Sequence, residues 1–79
     1  MYFETIKKNI NKWDPIELLA HAPEDEYNEE ILEICNRFEN EIDKLSCVIY
    51  NVFKISFGET FNKSLKDCYV IAENIIKSI

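Results

Sequence analysis

The side chains best suited to chemistry in this sequence are carboxylates, with a single histidine. Glu17 and His21 lie four residues apart, so both would contact one metal ion from a single helix face. They match no known ligand set, and a di-iron carboxylate site would need two Glu-x-x-His motifs, which the chain lacks. We therefore expect no metal and no cofactor, and we interpret His21 as a helix-end residue that donates to the last carbonyls.

The other reactive side chains form no catalytic pattern either. The serines lack a partnered histidine, and no glycine-rich phosphate loop occurs. Cys35, Cys47 and Cys68 are odd in number, lack a C-x-x-C pair and have no activating neighbour, which predicts reduced core thiols. The expectation is a protein that is not an enzyme.

Negative charge is concentrated in one quarter of the chain. Residues 24–43 carry nine acids and one arginine, whereas residues 1–23 are balanced and residues 44–79 carry three acids and five lysines. Such a field repels nucleic acid and anionic membranes, and it accelerates association with a basic protein. Three interpretations remain: a solvated face that maintains solubility, a docking face for a basic partner, and a divalent-cation site. The docking face would consist of Glu26, Tyr27, Glu29, Glu30 and Glu33.

The hydrophobic spacing predicts the helices that position these residues. Helices are expected over residues 2–12, 28–40, 42–57 and 64–79. The third is apolar over a wide arc, which predicts a central helix or one that offers a side to a partner. Gly58 is predicted to end it as a left-handed C-cap, and Ser64 with Asp67 resembles a capping box for the last helix.

The segment W-D-P-I-E-L-L-A-H-A-P predicts one more, short helix. Asp14 would be its N-cap and Pro15 its first residue, and the helix would end before Pro23. Asp25 or Asn28 would then cap the next helix. Trp13 and Tyr27, which flank this segment, are either core anchors or recognition residues on the surface.

These motifs also carry a family resemblance. The W-D-P-I and D-E-Y pieces, with Pro23, Val52-Phe53 and Phe57-Gly58, resemble the YugE-like family of small uncharacterised bacterial proteins, a domain of unknown function. The resemblance covers about residues 10–61, and family members usually have glycine where this chain has Glu17. It implies a compact all-α fold and no assigned activity.

Length and composition complete the prediction. With 79 residues, 47% hydrophobic and 30% charged, the chain has room for one globular domain, residues 1–79. The expected architecture is a small, irregular, antiparallel all-α bundle of four main helices plus the short W-D-P helix. No apolar run is long enough to span a membrane and no signal-peptide core precedes the first helix, which favours a cytoplasmic location.

Two functional hypotheses follow. The first is a non-enzymatic acidic module that binds a basic protein, as immunity proteins and other inhibitors do. The alternative is a self-assembling helical module without a ligand, which forms a homodimer through the wide apolar arc of the third helix or through Ile75, Ile76 and Ile79.

Overall fold

The computed structural model describes residues 2–20 and 22–79, so the predictions for His21 lie outside the described residues. The helices are α1 (Phe3–Trp13), α2 (Asn28–Asn36), α3 (Ile42–Phe57) and α4 (Leu65–Lys77), and a single 3-10 turn follows α3 at Gly58–Thr60. The described part of the chain contains no strand.

The four helices form a ring around one core. Helix α3 packs against α2 on one side and, most extensively, against α4 on the other, while α1 contacts both α2 and α4. Helices α1 and α3 therefore lie across the core from each other. This arrangement confirms the prediction of a small all-α bundle.

The core is built from the apolar stripes of the amphipathic helices. In α1, Ile6 and Ile10 are completely buried at the centre of a stripe whose ends, Phe3 and Trp13, are half-buried. Each such aliphatic side chain contributes about 1.5–3 kcal/mol by leaving water. The other helices bury Ile31, Ile34, Leu45, Ile49, Val52, Phe53, Cys68, Ala72 and Ile75.

The ends of α3 and α4 follow the predicted signals with one correction. Ser64 and Asp67 form the capping box: the Asp67 backbone N–H donates to Ser64 Oγ (3.1 Å) and the Ser64 N–H donates to Asp67 Oδ2 (2.9 Å). The Ser64 hydroxyl also donates to Asp67 Oδ2 (3.1 Å), and the Ser64 N–H and hydroxyl together hold the pKa of the Asp67 carboxyl below its usual value. Gly58 does end α3 with a positive φ of 57°, but its ψ of −131° lies outside the left-handed helical region.

Several predicted helical positions are different in the structure. Helix α2 ends at Asn36 instead of residue 40, and Phe38 lies beyond it with its ring 5.1 Å from that of Tyr2. The prediction of core thiols holds for Cys68, which is buried, but Cys47 is exposed and Cys35 is intermediate. Four residues that the helical spacing places with the apolar stripes of the predicted helices are exposed in the structure: Ser56, Leu65, Tyr69 and Ile79.

Candidate functional site

The connector, defined here as residues 14–27, does not contain the predicted W-D-P helix. Asp14 is the C-cap of α1, with φ 47° and ψ 64°, and its backbone N–H donates to the Ile10 carbonyl at 2.8 Å. An N-cap typically has extended backbone, whereas Asp14 is left-handed and ends a helix instead of starting one. Glu17 also has a positive φ, 58°, so residues 15–20 form turns instead of a helix. Pro15 is buried within these turns, whereas Pro23 and Asp25 are exposed.

A hydrogen-bond hub at the Tyr27 hydroxyl holds the connector together. The hydroxyl donates to Asp14 Oδ1 at 2.6 Å. It accepts from the backbone N–H groups of Ile16 (3.3 Å) and Leu18 (3.5 Å), and Asp14 Oδ1 also accepts from the Leu19 N–H (3.3 Å). The W-D-P and D-E-Y motifs are thus two halves of one structural unit, which closes an irregular segment onto the end of α1.

The ring of Tyr27 belongs to an aromatic cluster at one end of the bundle. Tyr27 is 0% exposed and meets Phe53 edge-on at 5.8 Å between centroids. Phe61, also 0% exposed, stacks on Phe53 at 5.4 Å, and Trp13 meets both of these phenylalanines edge-on at 6.0 Å. The whole cluster is Trp13, Tyr27, Tyr50, Phe53, Phe57 and Phe61. Trp13 and Tyr27 are therefore core anchors, one of the two roles that the sequence allowed.

Burial makes several titratable groups in this core harder to ionise. It raises the pKa of Tyr27 to about 12, with the hydrogen bond to the Asp14 carboxylate adding to the effect. Burial likewise raises the pKa of the Cys68 thiol to about 12 and that of the Cys35 thiol above its ordinary value. Both thiols are thereby kept in their less nucleophilic, protonated form.

The acidic side chains of α2 form one side of a groove against α3. This α2–α3 groove, of about 260 Å³, is lined by Glu29, Glu30, Glu33, Arg37, Val52, Ile55 and Ser56. Glu29 and Glu33 are exposed, and Arg37 lies 3.9 Å from Glu33 in an ion pair open to solvent. Across the groove Ile55 is 81% exposed, the highest value among the large apolar residues of the described chain. The groove therefore combines carboxylates with an accessible apolar residue.

Two residues of the predicted docking face do not have the expected exposure. Tyr27 is entirely buried and its hydroxyl is fully engaged in the hub, so it cannot contact a partner. Glu30 is only 9% exposed, because it follows the buried side of α2 beside Ile31 and Ile34. Glu26 is exposed but does not line the groove. The structure brings Glu29, Glu30 and Glu33 together, and leaves Glu29 and Glu33 as the accessible pair.

The α3 side of this groove, formed by Val52, Ile55 and Ser56, was not predicted from the sequence. Ile55 lies off the main apolar stripe of α3, and that departure was the available signal of an exposed apolar residue. Arg37 and Ser56 carried no signal in the sequence. Phe61 was missed in the core because it lies outside every helix, where hydrophobic periodicity does not apply.

The described residues, 2–20 and 22–79, contain neither a metal-binding cluster nor a membrane-spanning helix. No group of three or more histidine, cysteine, aspartate or glutamate side chains is arranged to hold a metal ion there. Within the same residues, every helix is too short or too polar to cross a membrane.

The comparison with protein families gives a match along almost the whole chain. A family model described as "Domain of unknown function (DUF1871)" matches residues 5–78. The chain belongs to the DUF1871 family. This membership confirms the expected domain of unknown function, and the DUF1871 match extends beyond residues 10–61, over which the resemblance was predicted. Comparisons with curated proteins and with solved structures gave no match.

Proposed function

We propose that this protein acts by binding a basic protein partner and that the α2–α3 groove is the contact surface. The observation that carries the proposal is the position of Ile55, 81% exposed, opposite the carboxylates of α2. An isolated exposed apolar residue needs no explanation, but one that shares a groove with Glu29 and Glu33 offers both an apolar contact and charge recognition.

The groove suits an amphipathic basic segment. An apolar side chain of the partner would pack on Val52 and Ile55, while its lysines or arginines would pair with Glu29 and Glu33. Arg37, which already pairs with Glu33 at 3.9 Å, would be displaced or would keep one carboxylate oxygen occupied. Because these charges lie at the solvent-exposed rim, association should become slower as salt is added.

Binding without catalysis is the simplest reading of the titratable groups. In the described residues, the groups whose pKa is raised are Tyr27, Cys35 and Cys68, and burial is the main cause for each. A general acid or base works best with a pKa near the operating pH, whereas burial moves these three away from it. We therefore favour a binding module of the immunity or inhibitor type.

The test is capture of proteins from a native lysate on the immobilised chain, followed by titration of each purified candidate. The informative variant is Glu29→Lys/Glu33→Lys, which leaves the largely buried Glu30 in place. Its matched control is Glu24→Lys/Glu59→Lys, which changes the net charge equally at exposed positions outside the groove. We expect the groove variant to weaken binding at least about tenfold, or 1.4 kcal/mol, and the control to bind nearly as the wild type.

A second variant tests the apolar half of the groove. Ile55→Ser should weaken binding of the same partner without changing the net charge of the chain. It should have little effect on folding, because Ile55 is 81% exposed. Unchanged affinity in both groove variants would show that the partner binds elsewhere. Equal losses of affinity in the charge-reversal variant and its control would show that the partner responds to the net charge of the chain and not to the groove.

A homodimer is the second candidate, and exposed apolar residues on α4 favour it. Leu65 and Tyr69 lie one turn apart and are 49% and 42% exposed, and the neighbouring Val70 is 50% exposed. Of the isoleucines predicted to mediate dimerisation, Ile75 is buried and Ile76 packs against the core. A charge introduced by Ile76→Glu would therefore disturb the fold, and it could not test dimerisation alone. Tyr69→Glu is the appropriate variant: light scattering should show a dimer for the wild type and a monomer for Tyr69→Glu.

We also propose a cellular location and a finer family assignment. We place the protein in the cytoplasm and assign it to the bacterial, YugE-like members of the DUF1871 family. The W-D-P-I and D-E-Y motifs, which carry the resemblance to that family, support the second assignment. Fractionation of the native cells, with detection by a specific antibody, tests the location.

A further inference from the structure

A second groove lies between α1 and α4, next to the aromatic cluster. Its cavity of about 500 Å³ is lined by Asn9, Lys12 and Trp13 from α1 and by Ile71, Asn74 and Lys77 from α4, with Ser78 at the end. A smaller cavity of about 340 Å³, which shares Asn9, Lys12 and Ser78 with it, continues along α1 past Lys8. We name the two together the α1–α4 groove. The volume of the first cavity alone, about 500 Å³, is in the range of small-molecule sites in proteins, about 300–1,000 Å³.

The charge of this groove is opposite to that of the whole chain. The chain carries a net charge of −6, yet Lys8, Lys12 and Lys77 all line the groove and no acidic residue does. The carboxylate of Glu73, which does not line the groove, lies 3.7 Å from Lys77 Nζ. Ammonium groups that share a concave surface attract an anion more strongly than the same groups spread over a convex one.

The lysines also have a structural role, which has to be separated from binding. Lys12 and Lys77 lie in the last turns of their helices, where a positive charge offsets the negative end of the helix dipole. That role accounts for their sign but not for their convergence on one cavity. Lys8 stands outside the last turn of α1, so the dipole does not account for it.

The walls of the groove add an apolar and a polar component. Trp13 is half-buried: it packs edge-on against Phe53 and Phe61 and also forms part of the cavity wall, as does the half-buried Ile71. Asn9 donates its amide to the Thr5 carbonyl at 2.8 Å, which orients its side chain at the groove. An indole beside ammonium and amide groups suits a ligand with a flat ring and an acidic group.

We propose that the α1–α4 groove is a binding site for a small organic anion that combines an aromatic ring with a phosphate or carboxylate group. The ring stacks on or packs beside Trp13 and Ile71, and Lys12 and Lys77 bind the acidic group from opposite sides. Lys8 extends the positive field along the entrance. The site is separate from the α2–α3 groove, so it is tested independently of the proposed partner.

Trp13 provides the measurement, because it is the only tryptophan in the chain. Phenyl phosphate is titrated into the full chain while indole fluorescence and backbone amide NMR shifts are followed. We expect saturable changes with a dissociation constant of about 1 mM or below, and amide shifts centred on Lys12, Trp13 and Asn74. Inorganic phosphate and benzyl alcohol, each with one half of the probe, should bind at least about tenfold more weakly.

The decisive variant is Lys12→Gln/Lys77→Gln, and its matched control is Lys44→Gln/Lys66→Gln, which removes two exposed lysines outside the groove. The groove variant should lose phenyl phosphate binding at least about tenfold, while Lys12→Arg/Lys77→Arg should retain it. Thermal unfolding of each variant separates a loss of helix stability from a loss of binding. The proposal is overturned if phenyl phosphate causes no saturable change, if the groove variant binds as the wild type, or if the control loses as much.

Discussion

The connector and the α2–α3 groove use carboxylates in opposite ways. Asp14 of the connector accepts hydrogen bonds from the Tyr27 hydroxyl and the Leu19 N–H, so its charge is satisfied inside the fold. Glu29 and Glu33 of the groove are exposed, and within residues 2–20 and 22–79 Glu33 forms an ion pair with Arg37 at 3.9 Å while Glu29 forms none. The role of an acidic residue in this protein therefore depends on its hydrogen-bond partners and not on its place in an acidic stretch of the sequence.

The two regions should therefore respond differently to mutation. Changes near the connector remove buried contacts or leave buried polar groups without partners, which destabilises the fold. Changes on the groove rim remove exposed charges, each of which contributes about 0–1 kcal/mol. Measuring both kinds of change in one protein tests whether structural and binding roles are separated in this way.

The largest effect should come from Phe61, which connects the aromatic cluster to the chain beyond α3. Phe61→Ala should lower the free energy of unfolding by about 3–5 kcal/mol, because it empties a buried position between Trp13, Tyr50 and Phe53. Urea denaturation followed by circular dichroism measures this. Phe61→Leu, which refills part of the volume, should recover a substantial share, and a loss below about 1 kcal/mol for Phe61→Ala would contradict the assigned packing.

Alkaline pH should weaken the same region without any mutation. Burial raises the pKa of Tyr27 from its ordinary value of 10.0 to about 12 and the pKa of Cys68 from 9.0 to about 12, so at alkaline pH the folded state holds protons that the unfolded state has released. Their stabilisation is complete below pH 9 and is lost as the pH rises towards 12. Urea denaturation at increasing pH should show this fall, and the fall should be smaller in Tyr27→Phe.

Removal of the Tyr27 hydroxyl tests the hub directly. Tyr27→Phe should cost about 1–3 kcal/mol at neutral pH, because Asp14 and two backbone N–H groups lose a partner while the aromatic packing remains. Tyr50→Phe is the matched control at a half-buried ring of the same cluster. A double-mutant cycle with Asp14→Asn should show coupling, and strictly additive losses would mean that the two side chains act separately.

A stabilising change is expected at Glu17. Its φ of 58° lies in the left-handed region, which costs a residue with a side chain about 1–2 kcal/mol. Glycine avoids this cost, but it loses more conformational entropy on folding, which offsets part of the gain. Glu17→Gly should therefore stabilise the protein by about 0.5–1 kcal/mol. Glu26→Gly makes the same exchange in the connector at a residue without a positive φ, and it should instead destabilise; thermal unfolding of both variants decides the matter.

The smallest effect on stability should come from the groove. Glu29→Lys/Glu33→Lys should change the free energy of unfolding by less than about 1 kcal/mol, even though it reverses two charges, because both side chains are exposed. The same denaturation assay measures it beside the connector variants. A loss comparable with that of Tyr27→Phe would remove the distinction between the two regions.

Much of the fold was predictable because its longest helices follow simple periodicity. Helix α3 was expected at residues 42–57 and is observed at Ile42–Phe57, and the Ser64–Asp67 capping box marks the start of α4. These features depend on local spacing and local hydrogen bonds. The end of α2 was less predictable, since no glycine or proline marks it, and the contact of Phe38 with Tyr2 is a tertiary one.

The connector could not be predicted for a different physical reason. Asp-Pro is a sound helix start by local rules, but the left-handed backbone of Asp14 is stabilised by Tyr27, thirteen residues later in the chain. A buried tyrosine needs a partner for its hydroxyl, and that requirement was the available clue. Of the candidate site, the glutamates of α2 were predicted, whereas Ile55 became part of it only when α3 was placed beside them.

The closed ring of helices has a consequence for how the chain folds during synthesis. Of the four helices, α1 is synthesised before the others, yet one of its two neighbours is α4, which is synthesised after the other three. Until α4 has left the ribosome, α1 lacks one of the two helices against which it packs in the native state. Helix α1 therefore reaches its final environment only after α4 has emerged, and termination before α4 should leave a chain that cellular proteases remove.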